Sequence, residues 1–280
     1  MYLALERYTR PSSVAEALAA YAGGKGGVLL GGGSTLNVEG NHEEVEHVID
    51  LQGLPWKQLA SGAQGVEVGA LVSLRALGRA AAAWGPRFAA IAPAALAYPV
   101  VGLLNRATVG GRVMLDRNDV DLHPVLAALD ARLLVVDDAG ERALPFPTDA
   151  AGRRALAGCL LRGLQLPAGG GRSSFHRHAR IQVDRPLCNA AAWVEGSEAR
   201  VFAGVQGPDA ALTRLGAVEG KLSGWGDQRP PDWRGQVREA ALADLVAYED
   251  PWASGTYRQD VTATLVVRCL AEVFGEAVSE

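Results

Sequence analysis

Two short glycine-rich stretches carry the residue types and spacing best suited to holding a ligand. The first, LLGGGSTLNV at 29–38, follows an apolar run and contains Leu30, Gly31, Gly32, Gly33, Ser34, Thr35 and Leu36. Consecutive glycines let the backbone bend sharply and aim successive N–H groups outward, a nest for an anion such as a pyrophosphate. Ser34 and Thr35 add hydroxyl donors. The spacing is neither G-x-G-x-x-G nor that of a Walker loop, which removes the Rossmann and P-loop readings. The second stretch, NRATVGGRV at 105–113, offers Thr108, Gly110, Gly111 and Arg112. Either stretch alone also describes a ligand-free turn; together they could clamp one ligand from both sides. Asp121, in DVDLHPVLAALDA, either caps a Pro-started helix or accepts hydrogen bonds from ribose or ribityl hydroxyls.

Other chemistries find little support. The three cysteines, Cys159, Cys188 and Cys269, are far apart and form no CxxC, so no iron–sulfur or structural zinc framework is written here. Cys159 and Cys188 lie in apolar sequence, which favours an inert thiol. His123, His176 and His178 have no metal-ligand spacing and belong to no Ser–His–Asp or Cys–His set. Net charge is −4, so the basic excess of a general nucleic-acid binder is missing. The start, MYLALERYTRPSS, has no basic n-region, and no run reaches a membrane-spanning length. A soluble cytoplasmic chain is the expectation.

These loops need elements to place them. At 280 residues and 49% apolar content, the chain can bury a sizeable core as one large domain or two modest ones. SVAEALAAY (13–21) reads as a helix with Ser13 as N-cap and Glu16 three residues on. Val28 to Leu30, EHVIDL and GVEVGALVS (65–73) read as strands, and SLRALGRAAAAW as an amphipathic helix. DLHPVLAALDARLLVVDD predicts a short helix, a strand and a turn. PAGGGRSS (167–174) is the boundary candidate. Beyond it, FHRHARIQ, CNAAAWVEG and ARVFAGV predict strands, with a hairpin on Glu-Gly-Ser-Glu. Helices follow near 209–222, 234–247 and 255–274, the last with Tyr257, Val261, Leu265, Arg268 and Val273 on its packed face. The pattern is an N-terminal α/β domain and a smaller C-terminal α+β domain.

In this order, the residues resemble the flavin-binding medium subunit of the molybdenum hydroxylases, the group of the carbon monoxide dehydrogenase and bacterial xanthine dehydrogenase families. YTRPSSVAEAL is similar to the family opening, and LGGGSTL sits at its first flavin loop. NRATVGG is close to the second loop. The step from Thr108 to Asp121 equals the family spacing, and LLRGLQLP resembles the closing strand of the flavin domain. RLGAVEGKLSG and DPWASGTYRQDVTATLVVRCL resemble C-terminal segments with no obvious ligand role.

The resemblance implies an α+β fold, with a two-lobed PCMH-type (vanillyl-alcohol-oxidase-like) FAD-binding domain over 1–168. A smaller C-terminal domain of sheet and packed helices would span 173–280. Leu30 to Leu36 would hold the FAD pyrophosphate, with Thr108, Gly110, Gly111 and Arg112 closing over it. Asp121 would bind cofactor hydroxyls, and Leu161 would lie near the adenosine. No side chain need act as acid or base. An iron–sulfur small subunit and a molybdopterin-binding large subunit would be partners, passing electrons through FAD to NAD, oxygen or a quinone. Arg112, the run MLDRND and Arg185 depart from the family pattern. Two alternatives stand beside this reading. One is a UDP-N-acetylenolpyruvoylglucosamine reductase-like flavoenzyme, whose loop GGGSNLLV is close to GGGSTLNV. The other is a flavin-free structural member, required if Arg112 and Met114 to Asp119 fill the cleft.

Overall fold

The computed structural model describes residues 5–22, 26–36, 45–97, 100–117, 119–204, 211–226 and 228–277. Asn37 and Val38 of the first glycine stretch and most of the acidic run before His47 lie outside them.

Three sheets organise the chain. The first joins β1 (Arg7–Thr9), β2 (Val28–Leu30) and β3 (His47–Asp50) in parallel, with β3 central. Between β1 and β2 lies α1 (Val14–Tyr21), whose N-cap Ser13 accepts from the Glu16 N–H. Glu16 reaches back to the N–H of Ser12, one residue earlier than a capping box requires.

The second sheet is antiparallel. It contains β4 (Leu59–Gly62), β5 (Gly65–Gly69), β6 (Arg132–Asp137), β7 (Gly140–Pro145) and β8 (Leu160–Pro167), in the order β4-β5-β8-β6-β7. Val66, Val68, Leu133, Val135, Leu164 and Leu166 of its three inner strands are buried in the largest core cluster. Five short helices connect β5 to β6: α2 (Leu74–Ala81), α3 (Ile91–Leu96), α4 (Val101–Arg106), α5 (Val109–Val113) and α6 (Leu122–Ala128). Strand β5 ends at Gly69, earlier than its alternation suggests, because Ala70, Leu71 and Val72 are all buried and Ser73 caps α2. The helix α7 (Ala150–Arg154) precedes β8.

The third sheet is an antiparallel run of β9 (Arg172–His178), β10 (Cys188–Glu195), β11 (Glu198–Gly204) and the short β12 (Thr213–Arg214). The β10–β11 hairpin turns at Gly196, with φ +58°, and Ser197. Three helices follow: α8 (Gly216–Trp225), α9 (Trp233–Asp244) and α10 (Gly255–Val273), which packs across β9 and β10. The α8 helix starts later than expected because residues 213–214 pair with β11. The buried face of α10 is Arg258, Thr262, Leu265, Val266, Cys269, Leu270 and Val273, whereas Tyr257 is exposed. Arg258 is 1% exposed, and its guanidinium is met by Asp250 and the Leu187 carbonyl.

The large core continues past residues 167–171: Phe175, Ala191, Trp193 and Phe202 pack with Phe88 and Ile91. Arg87, buried, donates to the carbonyls of Pro167 (3.0 Å) and Gly170 (3.1 Å). The Trp193 ring is flanked by the Arg87 and Arg200 guanidinium carbons, 5.0 and 3.9 Å from its centroid. Arg200 donates to the Ala128 carbonyl, which ties β11 to α6.

Candidate cofactor-binding site

The first glycine stretch leaves β2 directly and is held from two sides. Gln52 donates to the Gly31 carbonyl at 2.8 Å, and Arg106 to the Gly32 carbonyl at 3.3 Å. Gln52 is itself seated by Asp50, which accepts from the Gln52 N–H and from the Tyr8 hydroxyl. Gly33 has φ +71°, in the left-handed region that favours glycine. A Cβ on Gly32 would lie 1.6 Å from the Arg106 carbonyl oxygen, so the two stretches approach each other backbone to backbone. The N–H groups of Gly32, Gly33 and Ser34 make no hydrogen bond to any described residue, which leaves three donors for a ligand.

The second stretch is fastened along the exit of β5. Val109 N–H donates to Val72 and Gly110 N–H to Ala70. Thr108 caps α5 by accepting from the Gly111 N–H at 3.2 Å. The glycine N–H groups of this loop are thus committed to the protein, and its contribution to a ligand is surface and the Thr108 hydroxyl.

Both stretches wall one cleft of about 670 Å³, within the general range of about 300–1,000 Å³ for ligand sites. Leu30 to Leu36, Thr108, Gly110, Gly111 and Leu161 all line it. Tyr21, Val28, Leu51, Leu71 and Cys159 supply further wall, and Met114 to Arg117 complete it. A second space of about 560 Å³ shares Leu30, Gly31, Gly32, Leu71 and Thr108, and brings in Lys57 and Arg106.

Arg112 and Asp121 stand apart from this cleft. They border a space of about 30 Å³ shared with Arg117, Asp119, Arg177, Asp184 and Arg185. Asp121 is 4% exposed. Arg177 Nε lies 3.2 Å from one carboxylate oxygen, and Asn189 Nδ2 donates to the other at 3.2 Å. Burial pushes the Asp121 carboxyl up, and the Arg177 charge opposes that shift. Arg117, which touches both spaces, grips Asp119 with two bonds of 2.9 and 2.6 Å.

Two buried groups shape the surroundings. His123 is 1% exposed, and burial, with the Arg153 charge beside it, pushes its pKa down to about 3. Arg153 can only donate, so Nδ1 accepts from it and the Nε2–H faces the Arg112 and Val113 carbonyls, each 3.2 Å away. Cys159 sits beside the Arg142–Asp137 pair and not in purely apolar surroundings; burial still raises its pKa. Among the described residues no cluster of His, Cys, Asp or Glu could hold a metal, and no helix is long and apolar enough to cross a membrane.

Of the residues singled out in the sequence, both glycine stretches apart from Arg112, together with Leu161, meet at this cleft. Sequence reasoning missed Tyr21, Cys159 and the Arg177–Asn189 pair that meets Asp121. The last two lie in another sheet, so no local spacing announces them.

Comparisons with known proteins identify the family and the fold. Residues 3–168 match the family model described as the FAD binding domain in molybdopterin dehydrogenase. The structure superposes on carbon monoxide dehydrogenase from Hydrogenophaga pseudoflava with a TM-score of 0.83, at 21% identity over 98% of this chain and 99% of that one. Quinoline 2-oxidoreductase from Pseudomonas putida 86 gives 0.84, at 19% identity over 100% of both chains. Reconstituted CO dehydrogenase from Oligotropha carboxidovorans gives 0.86, at 18% identity over 99% and 100%. A comparison with curated proteins gives no match. At these identities the structural likeness shows the fold, and it is the PCMH-type fold with its C-terminal extension. The family-model match covers more than half of the sequence, so the chain belongs to the molybdopterin dehydrogenase FAD-binding family, the oxidoreductase group of the molybdenum hydroxylases.

Proposed function

We propose that this chain is the FAD-binding electron-transfer subunit of a molybdenum-containing hydroxylase. The observation that carries the reading is the cleft between the two glycine stretches, which stays open at about 670 Å³ with Arg112 and Met114 to Arg117 in place. Met114 to Arg117 form its wall and do not fill it, and Arg112 lies outside its lining. This favours a cofactor-binding chain over a flavin-free structural one.

The residues present fit FAD. The uncommitted N–H groups of Gly32, Gly33 and Ser34 suit a pyrophosphate, with the hydroxyls of Ser34 and Thr108 beside them. The apolar wall of Val28, Leu51, Leu71 and Leu161 suits the flat, largely apolar face of a base or ring. When bound, FAD supplies the two-electron and one-electron redox chemistry. The chain binds and orients the cofactor and sets the charge around it. No side chain of the cleft needs to move a proton, in keeping with the buried, neutral His123 and the raised Cys159 thiol. Residues 1–168 would form the FAD-binding domain and 173–280 the second domain. Partners would be an iron–sulfur small subunit and a molybdopterin-binding large subunit, with NAD, oxygen or a quinone as the final acceptor. Activity would require that complex.

The test is the absorption spectrum of the purified chain after incubation with FAD and desalting. A retained oxidised-flavin band is expected. A protein left colourless by saturating FAD overturns the cofactor reading. A flavin band bleached by NADPH and reoxidised only by a UDP-N-acetylglucosamine enolpyruvate substrate would replace it with the reductase.

A further inference from the structure

Two successive carbonyls of the first glycine stretch are held by side chains. Gln52 Nε2 donates to the Gly31 oxygen at 2.8 Å, and Arg106 Nε to the Gly32 oxygen at 3.3 Å. A trans peptide is planar, so its C=O and N–H point in opposite directions. No peptide bond among the described residues is cis. The Gly31 carbonyl shares its plane with the Gly32 N–H, and the Gly32 carbonyl shares its plane with the Gly33 N–H. Holding each carbonyl therefore aims the next N–H the other way. Gln52 and Arg106 both stand in the second space, of about 560 Å³. The two N–H groups face away from it, towards the main cleft, and neither has a hydrogen-bond partner among the described residues.

Glycine makes such a restraint necessary. A Gly–Gly peptide has no Cβ on either side, and its plane turns over at little steric cost. A turned plane would present the negative end of a carbonyl where an anion nest needs an N–H. Gln52 is itself well placed to prevent this. Leu30 and Asp50 are paired in the β2–β3 register, so the exit of β3 runs beside the start of the loop. Asp50, 6% exposed, caps the short turn Leu51–Gly53 by accepting from the Gln52 N–H at 2.9 Å. Its other carboxylate oxygen accepts from the Tyr8 hydroxyl of β1. A chain of hydrogen bonds thus runs from β1 through the turn to the Gly31 carbonyl.

We infer that Gln52 is a positioning residue, which locks the Gly31–Gly32 peptide plane so that the Gly32 N–H is aimed at the cofactor pyrophosphate before the cofactor arrives. Arg106 acts in the same way on the next plane. This rests on the reading that the cleft binds FAD. Donors already aimed need no reordering on binding, and that saving appears as affinity.

The test is FAD titration of the full chain and of two variants at position 52, with melting temperature as the check on folding. Gln52→Met keeps the length of the side chain and removes the donor. It is expected to weaken FAD binding about tenfold, the scale of one hydrogen bond lost together with the aim it gave. Gln52→Glu turns the donor on and off. An ionised carboxylate only accepts, whereas a protonated one donates an O–H. Each variant is compared with wild type at the same pH, from 8 down to about 4.5, near the ordinary glutamate value. That comparison cancels the groups common to all three chains, among them Asp50, Lys57 and Arg106, which share the space with residue 52. Gln52→Glu should bind at least about tenfold more weakly than wild type at pH 8 and recover beyond the Gln52→Met level as pH falls. Gln52→Met should stay weak throughout. Wild-type affinity in Gln52→Met overturns the inference. So does a recovery of Gln52→Glu that stops at the Gln52→Met level, because then only its charge mattered. Should Gln52→Met not fold, Gln52→Leu takes its place; if neither folds, the residue serves the fold and the inference is wrong. A wild-type chain that takes up no FAD at any pH fails the functional reading itself, a result distinct from variants that bind like the wild type.

Discussion

Substituting Gly32 by Ala tests the loop-to-loop contact that shapes the cleft. The added Cβ would meet the Arg106 carbonyl oxygen at 1.6 Å and its carbon at 2.6 Å, both backbone atoms that cannot rotate away. The first stretch must retreat by roughly an ångström and a half, because overpacked backbone relaxes by moving. The Arg106–Gly32 bond at 3.3 Å goes with it. Overpacking of this kind costs about 1–3 kcal/mol of stability. The donors of Gly32 and Gly33 move too, and two charge-assisted hydrogen bonds at about 1.5 kcal/mol each make about 3 kcal/mol of lost binding. That converts to about 100-fold in the FAD dissociation constant. Fluorescence titration of FAD into wild type and Gly32→Ala measures it. Gly220→Ala is the control, since nothing lies within 4 Å of that site on an exposed face of α8. It should leave FAD affinity alone and gain about 0.5–1 kcal/mol of stability. A Gly32→Ala chain that binds FAD like the wild type would refute the geometry.

Three further predictions concern the frame. His123 has a folded pKa of about 3 against a usual value near 6.5, so the unfolded chain binds one more proton between them. Its contribution is complete above about pH 6.5 and declines as pH falls towards 3, with a slope of about 1.4 kcal/mol per pH unit. Urea unfolding at pH 7, 6 and 5 should show a shallower fall in His123→Gln than in wild type, and equal slopes would contradict the burial argument. Arg87→Ala removes both donations to the residue 167–170 connection and the contact with Trp193, and should cost about 3 kcal/mol in unfolding free energy. A loss indistinguishable from zero would show that the joint does not depend on it. All three thiols are buried, with Cys269 pushed up to about 12, so a thiol reagent at pH 8 should react slowly with native protein and with three groups once it is unfolded. One fast native thiol would break this expectation.

The parts of the fold that were legible in the sequence are those with local signals. Ser13 caps α1, glycine runs mark both cleft stretches, and the hairpin at Gly196 turns where its residues say. Edge strands were not legible. LASG of β4 is exposed throughout and β7 nearly so, and each is held by backbone pairing, which leaves no apolar alternation to read. On α10 the expected Leu265 and Val273 are buried, but Tyr257 is exposed and the buried arginine is Arg258, held by Asp250 and the Leu187 carbonyl, partners that no local spacing announces. Asp121 shows the same limit at the site. The family resemblance implies a cofactor contact there, while Asn189 and Arg177, which meet the carboxylate, come from a sheet far along the chain.

The central claim is that the two glycine stretches hold a dinucleotide flavin across its pyrophosphate. Calorimetric titration of the flavin-stripped chain with FAD and, separately, with FMN tests it most directly. FMN has one phosphate and no adenosine. The account predicts equimolar FAD uptake and FMN binding weaker by at least about 100-fold, the loss expected when the bonds to the second phosphate and the burial of the adenosine are forgone. Equal affinity for the two flavins, or uptake of neither, would contradict it.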